Sequence, residues 1–224
     1  MGKLIVIEGL DGSGKSTQLK MLADRLSLDG TDYECVSFPN YNSPACEPVK
    51  MYLRGDFGQN VGDVNAYTAS SFYAIDRFAS YKTSWGEFYN NGGIVICGRY
   101  TTSNVVHQCS KLPKEKWEEF SRWLFDYEYN LLKIPKPDLT VFLSMSEEMS
   151  DNLLKHRYSG DESKKDIHEK DREYQKVCRE AAEFAADFDG WVKVNCEDKG
   201  TLRQREDISD EIYAIVKKVI GDNK

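Results

Sequence analysis

The sequence has no apolar run that approaches the roughly 20 residues needed to span a membrane. It also has no excess of positive charge, because its 224 residues carry a formal net charge of −7, which argues against a general nucleic-acid-binding surface. The first residues, Met1 to Lys3, lead directly into an apolar segment without the pattern of a secretory signal. We therefore expect neither a membrane nor a nucleic acid as a partner.

The six cysteines include no C-x-x-C pair. Cys35 and Cys97 lie in predicted strands, and we expect them to be buried free thiols. Free thiols persist in a reducing compartment, so the sequence predicts a cytoplasmic protein.

No internal repeat, low-complexity tract or linker divides the chain, so we predict a single domain over residues 1–224. Short apolar runs predict five strands, at residues 4–7, 33–38, 94–97, 139–143 and 191–194. Helical patterns alternate with them, including one capped by Asp63 and reaching about Tyr89, and residues 195–205 suit a polar loop. This alternation predicts an α/β fold, with a parallel sheet flanked by helices on both faces. A charged stretch at about residues 157–165 separates two predicted helices and suits a short lid.

One short motif lies between the first strand and the first helix. Residues 9 to 16 match the phosphate-binding pattern G-x-x-x-x-G-K-[ST]. Backbone N–H groups at such a turn, together with the helix dipole, bind phosphates, which makes the fold a three-layer P-loop NTPase. Lys15 would reach the β- and γ-phosphates, and Ser16 would ligate Mg²⁺. The predicted ATP-binding residues are Gly9, Gly12, Ser13, Gly14, Lys15, Ser16 and Thr17.

The P-loop alone does not distinguish a kinase from a GTPase or a motor ATPase. The chain has no N-K-x-D guanine-reading motif, and no apolar strand ends in Asp, since Gly98 and Ser144 follow the third and fourth strands. Three arginines, Arg77, Arg99 and Arg157, are instead expected around the carboxyl ends of the strands, where ligands bind in such sheets. Arginines in that position favour phosphate clamping.

Six segments resemble the thymidylate kinases, in order and over almost the whole chain. They are I-E-G-L-D-G-S-G-K-S-T-Q at 7–18, F-P-N-Y at 38–41, Y-A-I-D-R at 73–77, R-Y-T-T-S-N at 99–104, K-P-D-L at 136–139 and D-I-H-E at 166–169. The resemblance implies phosphoryl transfer from ATP–Mg²⁺ to dTMP, giving dTDP, by a homodimeric enzyme. The catalytic residues it implies are Lys15, Asp11, Arg99 and Arg157.

The resemblance also implies a set of monophosphate-binding residues. Asp11 would hydrogen-bond the sugar 3′-OH, and Tyr41 and Arg99 would hold the phosphate. Tyr73 would stack on the base. Arg77 would bond a base carbonyl and Asn104 the pyrimidine edge. The full implied set is Asp11, Phe38, Pro39, Tyr41, Tyr73, Arg77, Arg99, Ser103, Asn104, His107, Asp166 and Glu169.

Three of these assignments have simpler alternatives. Tyr73 would equally suit a core position on an amphipathic helix. Asn104 would equally suit a helix cap. His107, where the family often has an aromatic residue, would face either the sugar or solvent.

The sequence departs from the family at two positions. Gly12 stands where some members carry a catalytic Arg, and the lid supplies Arg157, Lys164 and Lys165 instead. Gly98 stands where the family usually has Asp before Arg-Tyr. Three interpretations therefore stay open: a dTMP kinase, a kinase for another nucleoside or nucleotide, and a nucleotide-binding protein with weak or no turnover.

Overall fold

Five strands form one parallel sheet in the computed structural model, which describes residues 1–150, 153 and 172–221. Their order is β2-β3-β1-β4-β5, with every neighbouring pair parallel. The strands are β1 (Lys3–Gly9), β2 (Tyr33–Ser37), β3 (Ile94–Gly98), β4 (Leu139–Ser144) and β5 (Val192–Asn195). The five-stranded parallel sheet predicted from the sequence is confirmed, and the boundaries differ by at most two residues.

Helices cover both faces of the sheet. They are α1 (Lys15–Leu28), α2 (Glu47–Arg54), α3 (Ala66–Ser80), α4 (Gly86–Asn90), α5 (Thr101–Cys109), α6 (Trp117–Phe125), α7 (Arg172–Asp189) and α8 (Arg205–Ile220). A π-helical segment, Tyr81–Trp85, joins α3 to α4, and a second, Asp126–Leu131, extends α6.

The central strand β1 shows why both faces are covered. Ile5 and Ile7 pack toward α1 and α8, whereas Leu4 and Val6 pack toward the aromatic residues around Trp85. All four side chains are fully buried. Successive strand residues point to opposite faces, so a strand that is apolar at every position needs a helical layer on each side.

Three sequence predictions about local structure are wrong. Asp63 ends a short 3₁₀ turn, and Asn65 caps α3 instead, because its side chain accepts a hydrogen bond from the backbone of Thr68. The predicted polar loop at 195–205 contains a small antiparallel hairpin, β6 (Glu197–Asp198) and β7 (Thr201–Leu202). Cys35 is exposed because β2 lies at the sheet edge, whereas the other five cysteines, Cys97 included, are buried.

The predicted lid at about residues 157–165 lies outside the described residues. The same holds for Arg157, Lys164, Lys165, Asp166 and Glu169. Of the helix predicted from Ser146 to about residue 156, the structure describes residues 147–150 and Leu153 as helical.

Candidate active site

The phosphate-binding loop connects β1 directly to α1. Gly12 and Gly14 have φ angles of 80° and 85°, a left-handed conformation that favours glycine. Gly14 is also the N-cap residue of α1 and has no side chain with which to cap this helix end. A Cβ atom built on Gly14 would meet no described residue within 4 Å, so that part of the structure leaves the loop surface open there. This is the backbone arrangement that binds phosphate at a helix N-terminus.

The predicted ATP-binding residues divide into two groups. Gly12, Gly14, Lys15, Ser16 and Thr17 line the cleft. Gly9 and Ser13 lie behind the loop surface, and Ser13 is buried. Its Oγ has no hydrogen-bond partner in the part of the chain that the structure describes.

Lys15 folds back across the loop from the first turn of α1. Its Nζ donates a 2.6 Å hydrogen bond to the carbonyl oxygen of Leu10 and lies 3.9 Å from Asp11 Oδ1. The ammonium group therefore lies above the loop, on the side that faces the cleft.

The cleft has a volume of about 1400 Å³ and extends along the carboxyl ends of β1, β2 and β3. Because these strands are parallel, the loops that follow them meet at one edge of the sheet. Residues predicted to bind the monophosphate line this cleft; they are Asp11, Phe38, Pro39, Tyr41, Tyr73, Arg77, Arg99, Ser103, Asn104 and His107. The tertiary structure thus brings together every predicted monophosphate-binding residue that it describes.

Arg99 occupies the centre of the cleft wall, immediately after β3. Its backbone φ of 62° is in the left-handed region, uncommon for a residue other than glycine. Its guanidinium forms a salt bridge with Asp11 and lies 3.1 Å, Nη1 to Nε2, from His107. Burial lowers the pKa of Arg99, but the negative charges of Asp11 and Glu8 more than offset this, so the pKa is raised and the cation is stable.

Arg77 reaches the cleft floor from α3 and is 2% exposed. Its Nε and Nη2 atoms donate to the two carboxylate oxygens of Glu128, at 2.7 and 2.6 Å. Burial lowers its pKa, but the charge and hydrogen bonds of Glu128 reverse the direction, so the pKa is raised. Glu128 therefore accepts hydrogen bonds from Arg77 N–H groups that were predicted to bind a base carbonyl.

Tyr73 and Asn104 lie close to Arg77 along the cleft. The Tyr73 ring is edge-on to that of Tyr52, with ring centres 6.5 Å apart. Asn104 lies within α5, and its Nδ2 donates to the Ser70 carbonyl at 3.2 Å and to Glu128 at 3.4 Å. The helix-cap alternative for Asn104 is therefore wrong.

Three functional candidates escaped the sequence prediction. Glu8, the residue before the P-loop, is buried and accepts hydrogen bonds from the hydroxyl groups of Thr102 and Ser103, at 2.7–2.9 Å. Glu128 neutralises Arg77, and Gln108 is fully buried against the cleft. Glu8 had a signal, since a carboxylate interrupts an otherwise apolar strand. Glu128 and Gln108 had no such signal. Glu128 is distant in sequence from the residues that it contacts, and Gln108 lies on an otherwise ordinary helix.

A model of the family described as thymidylate kinase matches residues 7–208 of this chain. The chain belongs to the thymidylate kinase family. The thymidylate kinase of Mycobacterium tuberculosis is 30% identical over 205 residues, with 89% of this chain and 94% of that protein covered. The thymidylate kinase of Dictyostelium discoideum is 28% identical over 96% of this chain and 84% of its own length.

A solved structure of the Candida albicans thymidylate kinase has the same fold. It covers 97% of this chain and 92% of its own, with a TM-score of 0.70 and 22% sequence identity. Membership in the thymidylate kinase family confirms the resemblance, the P-loop NTPase fold and the enzyme class predicted from the sequence. The roles of individual residues stay predictions.

Two features of this thymidylate kinase family member concern membranes and metal ions. Among its described residues, no helix combines the length and apolar character needed to cross a membrane. The same part of the chain contains no cluster of three or more His, Cys, Asp or Glu side chains suited to holding a metal ion.

Proposed function

We propose that the protein transfers the γ-phosphoryl group of ATP to dTMP, with Mg²⁺ bound to the donor. A phosphate oxygen of dTMP attacks the γ-phosphorus, the bond to the β–γ bridging oxygen breaks, and dTDP and ADP leave. The observation that carries this proposal is one cleft in which the P-loop faces Arg99 and the set formed by Tyr73, Arg77 and Asn104.

The P-loop fits a Mg²⁺–nucleotide complex. The loop is open at Gly14, and Ser16 is exposed in the cleft on the first turn of α1. Mg²⁺ takes few protein ligands and completes its shell with phosphate and water oxygens, so Ser16 would hold it together with the phosphates and water. Bound there, the metal would neutralise charge on the phosphates. Lys15 would bind the donor phosphates from the same turn.

The acceptor end of the cleft supplies charge and shape for a nucleoside monophosphate. Arg99, with Tyr41, would hold the acceptor phosphate, and Asp11 would bond the sugar 3′-OH. Tyr73 would stack on the base. The Nδ2 hydrogens of Asn104 are donated to Ser70 and Glu128, so its Oδ1 would accept a hydrogen bond from the base edge. The Gln108 amide would offer both a donor and an acceptor. Unsatisfied polar groups at such a site give strong discrimination between bases.

The remaining assignments complete the proposal. The chain acts as one domain, with a lid at about residues 157–165 that supplies Arg157. Asp166 and Glu169, just after the lid, would bound the monophosphate pocket from the lid side. It forms a homodimer. All six cysteines are free thiols, which suits a reducing cytoplasm.

The decisive experiment is a coupled assay of ADP release with ATP and a panel of acceptors. We expect dTMP to be the best acceptor among dTMP, dUMP, CMP, AMP and thymidine, with little release in the absence of an acceptor. A faster reaction with CMP or AMP would reject the substrate. Release of ADP that does not depend on an acceptor would favour an ATPase. No release of ADP would favour a nucleotide-binding protein.

The role of the P-loop lysine is tested by Lys15→Ala in the same assay. We expect most of the turnover to be lost while dTMP binding, measured by calorimetry, is retained, because Lys15 serves the donor phosphates. An equal loss of dTMP affinity would contradict this role.

A further inference from the structure

The His107 imidazole lies between the predicted phosphate clamp and helix α7. On one side, Nε2 is 3.1 Å from Arg99 Nη1. On the other, Nδ1 is 3.3 Å from the Tyr174 hydroxyl and 3.7 Å from Cys178 Sγ, and the Tyr174 ring is nearly parallel to the imidazole. Tyr174 and Cys178 are one turn apart on α7 and are both buried. Contacts on both sides hold the ring in the wall of the cleft.

Hydrogen-bond chemistry fixes the protonation state that this arrangement requires. A guanidinium only donates, so Nε2 of His107 must accept from Arg99, and the ring proton must be on Nδ1. The Nδ1–H group then donates to the Tyr174 oxygen, while the Tyr174 hydroxyl donates to the His107 backbone carbonyl at 2.9 Å. With His107 neutral, the donors at Arg99 Nη1, His107 Nδ1 and the Tyr174 hydroxyl each have an acceptor.

The contact matters because Arg99 has a long, flexible side chain in a strained backbone position. Asp11 holds one nitrogen of the guanidinium from the P-loop side, and His107 holds another from α5. Two contacts from different elements fix the plane of the guanidinium group. A single salt bridge would leave that plane free to rotate. A defined plane is what bidentate binding of a phosphate needs.

We infer that His107 is a positioning residue, which orients Arg99 toward the acceptor phosphate by accepting its Nη1–H bond. Tyr174 supports this function by keeping the imidazole proton on Nδ1. The inference deepens the proposed function and rests on it, because it assumes that Arg99 binds the phosphate of dTMP. It assigns His107 to the phosphate clamp, whereas the sequence left only the sugar or solvent.

The test compares His107→Phe with His107→Gln. Phe keeps a ring to pack on Tyr174 but removes both nitrogens. Gln places an amide oxygen near the position of Nε2, where it can accept from Arg99. Both variants are measured for kcat, for the KM of dTMP and of ATP, and for dTMP binding by calorimetry, with thermal unfolding to verify the fold.

We expect His107→Phe to raise the KM and Kd of dTMP about tenfold, the size of one lost hydrogen bond to a charged group, with the KM of ATP nearly unchanged. His107→Gln should recover most of the dTMP affinity. In an Arg99→Ala background, His107→Phe should have no further effect on dTMP binding, because both changes remove the same interaction.

Two outcomes would overturn the inference. One is a folded His107→Phe variant with wild-type dTMP affinity. The other is an equal loss in the Phe and Gln variants that persists in the Arg99→Ala background, which would place His107 against the sugar. Failure of the proposed function is separate, because the wild-type protein itself would then neither bind nor phosphorylate dTMP.

Discussion

At the residue scale, Arg77 and Glu128 form a buried ion pair that joins three elements. Glu128 also accepts hydrogen bonds from the Thr101 hydroxyl and the Asn104 amide. Removing one partner from a buried ion pair leaves the other charge without compensation, which is far more costly than the net contribution of the pair. The pair therefore supports the cleft floor, although neither charge faces solvent.

We predict that Glu128→Gln lowers the free energy of unfolding by about 3 kcal/mol. The measurement is urea denaturation at neutral pH. The matched control is Glu118→Gln, which removes an exposed pair with Arg122 and should cost under about 1 kcal/mol. Equal costs for the two variants would show that burial does not determine the effect.

Lys111 is a partly buried cation that donates hydrogen bonds to neutral oxygen atoms. Its Nζ donates to the Tyr52 hydroxyl at 2.7 Å and to the Val64 carbonyl at 3.0 Å. Burial lowers the pKa of Lys111 from 10.5 to about 8. The unfolded chain therefore binds more protons than the folded protein between pH 8 and 10.5, so stability should rise with pH across that window.

We predict that wild-type stability gains up to about 3 kcal/mol between pH 8 and 10.5 from this group, relative to a Lys111→Met variant. Below pH 8 the cost of the buried cation is fully present, so the difference between the two proteins should be constant there. Chemical denaturation of both proteins at a series of pH values measures the effect. If the free energies of unfolding of the two proteins change in parallel with pH, the Lys111 ammonium group is solvated in the folded protein.

At the element scale, the turn from β3 to α5 decides what faces the P-loop. Gly98 ends β3, and a Cβ built there would lie 3.0 Å from Leu19 Cδ2 and 3.4 Å from Ser37 Oγ. The first contact is tight, but Leu19 has a flexible side chain that can shift. The turn can therefore accept a Cβ atom at this position.

We predict that Gly98→Asp raises kcat and lowers the Mg²⁺ concentration needed, with little change in dTMP affinity, because a carboxylate there would order the metal through water. Steady-state rates against Mg²⁺ concentration measure both effects. Gly98→Ala is the control, since it adds the Cβ contact without the carboxylate. If Gly98→Asp is no faster than Gly98→Ala, a carboxylate at position 98 does not help to order the metal.

At the scale of the whole molecule, α3 carries exposed apolar side chains on one face. Tyr67 is 40% exposed and Ile75 is 45% exposed, two helical turns further along. Tyr67 also packs on Trp123 of α6, with ring centres 4.6 Å apart. This surface, formed by Tyr67, Ile75 and Trp123, suits the homodimer that the family resemblance implies.

We predict a dimer by light scattering and a shift to monomer in Ile75→Glu, because a buried charge opposes association. Leu28→Glu is the control, since Leu28 is 87% exposed at the end of α1 and away from this surface. The dimer interface lies elsewhere if Ile75→Glu remains dimeric.

The sequence by itself determined the family, the parallel sheet and the P-loop. These depend on local patterns: apolar runs for β1 and β3, and a glycine motif whose spacing is set by the backbone conformation that binds phosphate. Only the tertiary structure decided which groups neutralise, orient or support the predicted ones. Glu128 is 51 residues from Arg77, and Tyr174 is 67 residues from His107. Pairings across such separations depend on how helices pack, which no local pattern encodes, and the edge position that exposes Cys35 likewise follows from strand order.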